Sequence, residues 1–467
     1  MAFNYKPLII IGLFSLTSCA TYYEMNREFN VAFEQGNLEQ AEQVLVKNKK
    51  VAKGKERFLY LVNRGVVLSM LGRFEESNDY FEQAYIYTED YQTNYLHEAA
   101  SYLTNPTAVA YKGEDHERLL LLYYKAINFL QLGMYNEALV ECKRLNIRLQ
   151  QLSDKYRSDN KYKEDAFIHN LMGIIYDAQK DYNNAFIAYR NAYEIYENSY
   201  TALFSLDAPQ QLKEDILRTA YLTGFYEEYD KFKSEFGMTE YKYTPVDGSL
   251  VFFWNNGLGP YKSEWSINFA VIESEGGVFN FTNDEYDFTF PFSVPVSDNP
   301  EDHSKLTDLD VFRVAFPKYV ERSKYYTGAE LIVNDRTHQV ELAEDINQIA
   351  FKTLRERMLL EFGKSLLRVA LKKAAENQVE KESEGLALAV SFLNALTEKA
   401  DTRNWQTLPH SIYYTRAPLQ AGDNTVLLTL DKVGEQKNET RTFDFTIDTG
   451  QTAFKAFYSL EYKHRAY

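Results

Sequence analysis

A pattern of small and aromatic residues that recurs three times in the first half of this chain constrains its fold more than any other feature. Small, large apolar, turn-forming and aromatic residues follow one another at the same intervals in each copy. The three copies are Gly65, Leu68, Gly72, Phe74, Ser77, Phe81 and Ala84; Ala126, Phe129, Gly133, Tyr135, Ala138, Cys142 and Leu145; and Gly173, Tyr176, Lys180, Tyr182, Ala185, Tyr189 and Ala192. Each copy predicts two helices joined by a short turn.

These intervals are typical of tetratricopeptide repeats, in which small residues let two helices approach closely and aromatic residues fill the space between them. Weaker copies contain Gly36, Leu38 and Ala41, and later Gly224 and Tyr226. Successive strong copies are 61 and 47 residues apart, which exceeds the usual repeat of about 34, so we expect insertions between them. The sequence predicts a helical solenoid over residues 19–240, with a plain helical bundle as the alternative.

The chain has two cysteines, Cys19 and Cys142. Cys142 takes a large core position in the second copy, and it has neither a second cysteine nor a nearby histidine as a metal-binding partner. Because free cysteine is among the most buried residue types, we predict that Cys142 packs in the core.

Cys19 follows a segment with the features of a signal peptide. Lys6 is basic, residues 7–17 form an apolar stretch of 11 residues, and Leu16-Thr17-Ser18-Cys19 resembles a bacterial lipobox. The segment predicts removal of residues 1–18 and lipid attachment at Cys19, with an ordinary secretory signal as the alternative. Ala20 follows the cysteine in place of the aspartate that retains such proteins in the inner membrane. We therefore expect a palmitate-bearing lipoprotein in the outer membrane, facing the periplasm.

Composition and motifs argue against several classes of function. The formal net charge of −16 disfavours nucleic acid as a partner. The segment "GLGPYKS" lacks the spacing of a phosphate-binding loop, because Tyr261 precedes Lys262. The seven histidines show no metal-ligand spacing, and no catalytic pair stands out. The sequence predicts a protein that is not an enzyme and that binds no metal and no cofactor.

After residue 240 the pattern changes to alternating or apolar runs typical of strands, among them "LVFFWNN", "AELIVND", "SIYYTRAPL" and "NTVLLTLDK". We predict a β-rich domain over residues 241–467, in the form of a β sandwich, with a helical insert at about 342–399. The fold class is therefore α+β with several domains. An apolar stripe on the insert favours core packing, although a membrane-surface role is the alternative; its residues are Ile349, Leu354, Met358, Phe362, Leu366, Val369 and Ala370.

Four segments together resemble a family of Gram-negative lipoproteins of unassigned activity. They are "YKGEDHERLLLLYYKAINFLQLGMYNEALVE", "AFIHNLMGIIYDAQKDYNNAFIAYRNA", "NGLGPYK" and "ADTRNWQTLP", in that order. The resemblance implies a tetratricopeptide-like first half and a β-rich second half. Genes of this family often lie beside lipoproteins related to activators of penicillin-binding proteins, which associates them with cell-envelope assembly.

The last two segments also allow a physical interpretation. In "ADTRNWQTLP", Asp401, Arg403 and Trp405 are expected to lock a junction through an ion pair and a buried ring, with a partner-binding hot spot as the alternative. The turn "NGLGP" is also expected to be structural. Of the two segments, this turn is the more plausible contact point for a partner, if it is exposed.

A solenoid offers a concave surface, so we expect the chain to act as a scaffold for another envelope protein. Residues on the first helix of each repeat are the candidates for this partner-binding surface: Tyr123, Ile127, Asn170, Ile174 and Asp177, with Val62 and Val66. The alternative is that the β domain of the same chain covers these residues. The rival hypothesis is a glycan-binding lipoprotein that uses Trp254, Tyr261 and Trp265 as an aromatic platform.

Overall fold

The computed structural model describes residues 21–48, 50–90, 107, 109–153, 162, 164–274, 278–283, 288–293, 311–355, 400–434 and 438–463. The predicted signal peptide and Cys19 lie outside these residues. Within them, the chain divides into a helical half and a β-rich half, as predicted.

The helical half contains twelve described α-helices that pack against one another largely in chain order, with a short 3-10 helix at Val51–Lys53 and a π-helical turn at Tyr196–Tyr200. They are α1 Tyr22–Met25, α2 Arg27–Glu34, α3 Leu38–Lys47, α4 Arg57–Met70, α5 Phe74–Asp90, α6 Asp115–Gln131, α7 Tyr135–Ser153, α8 Ala166–Ala178, α9 Tyr182–Ile195, α10 Thr201–Phe204, α11 Gln210–Thr223 and α12 Tyr226–Glu235. No helix among the described residues is long and apolar enough to cross a membrane.

Each of the five predicted copies forms two helices joined by a short turn. Every turn contains a residue with positive φ, which ends the first helix: Gly36, Gly72, Gly133, Lys180 and Gly224. Lys180 is the exception among the five, because it adopts this conformation with a side chain. The predicted position of the turns is therefore confirmed.

Small residues are required where the two helices of a repeat cross. A Cβ atom on Gly65 would lie 2.6 Å from the ring of Phe81, and one on Gly173 would lie 2.4 Å from the ring of Tyr189. Ser77 occupies another small position, and its hydroxyl donates a hydrogen bond to the Gly65 carbonyl oxygen at 2.7 Å. These contacts explain why the repeat pattern combines small and aromatic residues.

The predicted core position of Cys142 is confirmed. Its side chain is fully buried among the helices, and burial raises the pKa of its thiol above the ordinary value. A thiol in this state is neutral and inert.

The strands of the second half form three four-stranded sheets and one two-stranded ladder among the described residues. Sheet I has the order β13 Thr452–Ser459, β1 Gly248–Asn256, β10 Ser411–Leu419 and β9 Glu341–Asp345; sheet II has the order β12 Glu439–Ile447, β11 Gly422–Lys432, β7 Tyr326–Val333 and β8 Arg336–Gln339. Sheet III has the order β4 Phe288–Ser293, β3 Val278–Asn283, β2 Tyr261–Ser274 and β5 Val311–Val320, and the ladder pairs β14 Tyr462–Lys463 with β6 Ser323–Lys324.

Sheet I is the middle layer between the helices and sheet II. Every residue of β1 is buried. Because side chains alternate along a strand, Leu250, Phe252 and Trp254 join the core shared with sheet II, whereas Val251 and Phe253 join the core shared with the helices. The continuous apolar run of β1 follows from burial on both faces.

The predicted insert at 342–399 begins differently from the prediction. Leu342 lies in β9, which pairs with β10, and the helix α13 starts only at residue 346 and is described to residue 355. The sequence interpretation was wrong at Leu342 because the strand runs directly into the helix without a turn residue. Ile349 and Leu354 are buried, whereas Met358, Phe362, Leu366, Val369 and Ala370 lie outside the described residues.

Candidate functional site

The residues predicted to bind a partner lie together on the inner face of the helical hairpins, but they are covered. All seven are buried: Val62, Val66, Tyr123, Ile127, Asn170, Ile174 and Asp177. Tyr123, for example, donates a hydrogen bond to Asn255 Oδ1 of β1 at 3.2 Å. The prediction that this inner face is open to another protein is therefore wrong, because sheet I packs against it. An apolar face is stabilised equally by a surface of its own chain.

The segment 400–410, which we call the junction segment, covers a further part of the inner face. The ring of Trp405 is 1% exposed. Its centroid lies 5.7 Å from that of Tyr124, 6.1 Å from that of Phe81 and 6.5 Å from that of Phe58. The Trp405 backbone N–H donates to Glu117 Oε1 at 2.6 Å. The junction segment is thus an integral cover of the inner face.

The expected lock within the junction segment is confirmed. Arg403 Nη2 lies 2.7 Å from Asp401 Oδ2, and Arg403 Nη1 donates to the carbonyl oxygen of Val109 at 2.9 Å. The expected structural role of the turn "NGLGP" is supported, and the alternative of an exposed contact point is not, because residues 255–260 are all buried. The Gly259 N–H donates to the carbonyl oxygen of Leu408 at 2.8 Å, so the turn is closed by the junction segment.

The three rings proposed as a glycan platform do not form one. Trp254 is fully buried, and its Nε1 donates to Ser459 Oγ at 2.9 Å. Tyr261 stacks on Tyr23 with ring centroids 5.0 Å apart, and Trp265 packs against a phenylalanine of β5. An aromatic platform would need two exposed, coplanar rings. These three residues therefore do not support the glycan-binding hypothesis.

An open groove remains between the last repeats and the sheets, and we call it the repeat–sheet groove. Its volume is about 360 Å³. Its lining includes Asp177, Lys180, Tyr182, Glu214, Asp215, Arg218, Tyr241, Tyr243, His338 and Arg416. Volumes of this order are typical of ligand and peptide sites.

The floor of this groove is a network of four charged side chains. Arg416 Nη2 lies 2.7 Å from Asp177 Oδ2, and Arg416 Nε lies 2.9 Å from Asp215 Oδ1. Arg218 also pairs with both carboxylates, and the Tyr189 hydroxyl donates to Asp177 Oδ2 at 3.1 Å. The four formal charges cancel, so the network joins α8, α11 and β10 without a net buried charge.

The charges of this network determine the pKa of Asp177. Burial acts to raise that pKa, but Arg218 and Arg416 outweigh burial and lower it to about 2. Asp177 is therefore ionised at neutral pH. Asp177 lies on a helix that contributes to the inner face, whereas its carboxylate lines the groove.

The rim of the groove combines aromatic and titratable side chains. Tyr221 lies beside the groove, with its ring centroid 5.3 Å from that of Tyr243. Burial, together with the charges of Asp215 and Glu341, raises the pKa of Glu214 to about 7. Within the described part of the chain, Asp215 Oδ2 has no hydrogen-bond donor. The Asp215 oxygen is buried beneath the groove, so what the groove offers to a ligand is aromatic surface and a carboxyl group that changes charge near neutral pH.

A second opening, the N-terminal cleft, lies between the first helices and the strand ends. Its volume is about 800 Å³. Its lining includes Tyr23, Glu24, Arg27, Val31, Glu34, Tyr325, Tyr326, Lys432, Glu439, Glu461 and Tyr462. Glu34 organises one wall, because it accepts hydrogen bonds from the hydroxyls of Tyr23 at 2.9 Å and Tyr462 at 3.0 Å.

A third cavity is too small to hold a substrate. It lies beside Asp165 and Glu344, and its volume of about 20 Å³ leaves room for about one water molecule. Burial raises the pKa of both carboxyl groups, and Tyr162 donates to Asp165 Oδ2 at 2.7 Å. Across the described residues, no cluster of three His, Cys, Asp or Glu side chains is placed to hold a metal ion.

Sequence reasoning missed Asp215, Arg218 and Arg416 as members of a site. Arg416 offered a signal, because it is the one charged residue in the run "SIYYTRAPL". A buried charge needs a partner, but the sequence does not show that the partners lie on α8 and α11.

No family model matches the sequence, and no curated protein is significantly similar to it. Solved structures with helical repeats do match the helical half. BtubC (BKLC) from P. vanneervenii shares 14% identity over 46% of this chain and 80% of its own, with a TM-score of 0.32. A tetratricopeptide repeat protein from Parabacteroides merdae shares 16% identity over 46% of this chain and 67% of its own, with a TM-score of 0.29. At such TM-scores these similarities assign no function, and the resemblance to a lipoprotein family stays a prediction.

Proposed function

We propose that this chain is a lipid-anchored protein of the Gram-negative outer membrane, facing the periplasm, that acts as a non-enzymatic scaffold for another envelope protein. The partner binds the repeat–sheet groove and not the inner face. The supporting observation is that sheet I and the junction segment cover the inner face, whereas the groove stays open above a largely buried floor of paired charges and keeps a tyrosine rim. Tyrosine and arginine are the residues that most often anchor protein interfaces.

The groove is tested by crosslinking in intact cells followed by pull-down of the chain from envelopes. We expect the double variant Tyr182→Ala/Tyr243→Ala to lose the partner that the wild type retains. Ile147→Ala is the matched control, because Ile147 is an exposed side chain on α7 outside the groove. Equal partner recovery from the groove variant and the control would rule out this surface.

The anchor is tested by replacing Cys19 with serine. We expect wild type to incorporate labelled palmitate and to fractionate with the outer membrane, because an acylated cysteine contributes about 0.8 kcal/mol per buried methylene. The Cys19→Ser variant should incorporate no label and leave the membrane fraction. Label on the variant, or soluble unlabelled wild type, would contradict lipid attachment.

Glycan binding is the second candidate function, now placed at the groove. The observation in its favour is the proximity of tyrosine rings to paired aspartates and arginines, since sugars stack on aromatic faces and bond to charged planar groups. Calorimetric titration of the unlipidated body with soluble peptidoglycan fragments separates the two candidates. Saturable binding that Tyr243→Ala abolishes would favour a glycan over a protein partner.

A further inference from the structure

We propose that α1 and α2, together with the mouth of the N-terminal cleft, rest directly on the lipid headgroup layer, so that the body is held in one orientation on the membrane. This inference rests on the proposed acylation of Cys19. It goes further in assigning an interaction surface and its partner, which is the bilayer itself.

The length of the tether is the first argument. Only Ala20 separates Cys19 from Thr21, the first described residue. An extended chain spans at most about 3.6 Å per residue, so the Cα atoms of Cys19 and Thr21 lie within about 7 Å of each other. A lipid on Cys19 therefore keeps the start of the body at the membrane surface.

The second argument is that the first described residues are held against the body of the molecule. The Thr21 hydroxyl accepts a hydrogen bond from the Glu24 N–H, and the Glu24 side chain accepts one from the Thr21 N–H, which together form a capping box. Tyr22 is buried, and its N–H donates to Thr402 Oγ1 at 3.0 Å. The start of α1 is thus fixed to the junction segment.

Neighbouring contacts extend this attachment to α2. The Asn30 side-chain amide donates to the Tyr23 carbonyl oxygen at 3.0 Å and to Gln406 Oε1 at 2.9 Å. The ring of Tyr23 stacks on that of Tyr261. Since α1 and α2 are bound to both halves of the molecule, the orientation of the anchor fixes the orientation of the whole body.

The dimensions of a bilayer then place this surface. The polar layer on each side of the hydrocarbon core is about 5–8 Å thick, similar to the longest possible tether. With the acyl chains in the hydrocarbon, Thr21 lies at the outer edge of the headgroups. The exposed side chains of α1 and α2 are the ones that reach into this layer.

Beside the exposed carboxylates Glu24 and Glu28, three exposed side chains of α1 and α2 suit a headgroup layer. Met25 is 63% exposed and Val31 is 41% exposed, whereas large apolar side chains are ordinarily buried. Arg27 is exposed between them and has the long stem and charged tip that reach phosphate oxygens. The net charge of −16 gives no attraction to anionic lipids, so the anchor and not charge determines docking.

This arrangement places the mouth of the N-terminal cleft at the membrane surface. Tyr23, Arg27 and Val31 form part of its lining, so its mouth opens beside the headgroups. A molecule that enters this cleft approaches along the membrane surface.

The test uses the acylated chain in vesicles of phosphatidylethanolamine and phosphatidylcholine with brominated acyl chains as quenchers. Cys142 is replaced by alanine, and a fluorophore is attached to single cysteines introduced as Met25→Cys, Val31→Cys or Ile187→Cys. Ile187 is an exposed control on α9. A further variant, with a lengthened tether, carries about twelve inserted Gly and Ser residues between Ala20 and Thr21, a flexible linker with a mean span of about 20 Å.

We expect at least about fivefold stronger quenching at position 25 than at position 187, with an intermediate value at position 31. The inserted residues should reduce quenching at position 25 to the control value, and about 0.5 M salt should change little, because docking does not depend on charge. Equal quenching at positions 25 and 187 in a chain that still sediments with vesicles would overturn the docking surface alone. Failure to sediment with vesicles would instead overturn lipid attachment, and the docking surface with it.

Discussion

The inner face of the repeats and the repeat–sheet groove lie on the same helices, yet one is closed and the other is open. The inner face is mostly apolar and is covered by sheet I and the junction segment. The groove carries charged and tyrosine side chains and remains in contact with solvent. Asp177 lies at the border of the two regions. An apolar repeat surface therefore indicates a binding site only where no other part of the same chain packs against it.

The same comparison separates two kinds of polar group. Residues such as Glu117 are buried with hydrogen bonds to the Tyr111 hydroxyl and to two backbone N–H groups, so they serve the packing of the junction segment. In the groove, Glu214 is only half-buried and lines the open space. Buried, hydrogen-bonded groups such as Glu117 stabilise the closed region, whereas partly exposed groups such as Glu214 can be reached from the open one.

The largest expected effect is on the closed region. Trp405→Ala removes a ring that lies between Phe58, Phe81 and Tyr124, and we expect a loss of about 4 kcal/mol in the free energy of unfolding. Urea unfolding followed by circular dichroism measures it. Ile147→Ala on the exposed face should cost less than about 0.5 kcal/mol. A similar small loss for Trp405→Ala would show that the junction segment is not an integral part of the core.

The second-largest loss of stability is expected at the border between the two regions. Arg416→Met leaves Asp177 and Asp215 with Arg218 as their shared cation, and we expect a loss of about 3 kcal/mol at neutral pH. The exposed pair Arg190 and Glu194 provides the control, with about 0.5 kcal/mol or less for Arg190→Met.

The pH dependence of this effect has a definite sign. The pKa of Asp177 is lowered to about 2, so its contribution to stability is complete above the unfolded value of about 4 and is lost as the pH falls towards 2. Arg416→Met should raise this pKa, and the stability curves of wild type and variant should converge over the same acidic range. Parallel curves would contradict the pairing.

Substitutions at two glycines distinguish the destabilising effect of a steric contact from that of an unfavourable backbone conformation. Gly173→Ala places a Cβ atom against the ring of Tyr189, and we expect a loss of about 2 kcal/mol. Gly36→Ala meets no atom within 4 Å but must adopt a φ of +73°, and we expect about 1 kcal/mol. Thermal unfolding of both variants measures the difference, and the reverse order would show that turn conformation outweighs helix contact.

The open region should contribute least to stability. Tyr243→Ala is expected to change the free energy of unfolding by about 0.5 kcal/mol or less, because Tyr243 lies on the groove rim and is only half-buried. The same variant should reduce partner recovery in the crosslinking experiment. A large loss of stability would assign this tyrosine to the core and not to a binding surface.

Much of the fold could be predicted because its signals are local. The turn positions at Gly72 and Gly133 depend on backbone φ, and the pairing of Gly65 with Phe81 depends on spacing within one repeat. Asp401 and Arg403 lie two residues apart, so their ion pair was also predictable. Leu342 was misassigned because the strand and the helix follow each other without a break.

The candidate site could not be predicted in the same way. Arg416 is separated from Asp177 by 239 residues, and no local spacing connects them. The apolar inner face is visible in the sequence, but its cover is not, since hydrophobic burial is non-directional and does not specify which surface provides the contact.

Residue patterns along the chain were enough to predict the helical hairpins, the strands β1, β7, β10 and β11 and the buried position of Cys142, and the lipobox-like segment predicts lipid attachment. Residue patterns could not show that Tyr123 and Ile174 face the chain's own sheet, that Asp177 pairs with Arg416, or that the groove and the N-terminal cleft remain open. The physical reason is the separation in sequence over which each kind of interaction acts. Turn geometry and helix crossing act over a few residues, whereas the choice of which surfaces pack together depends on segments hundreds of residues apart.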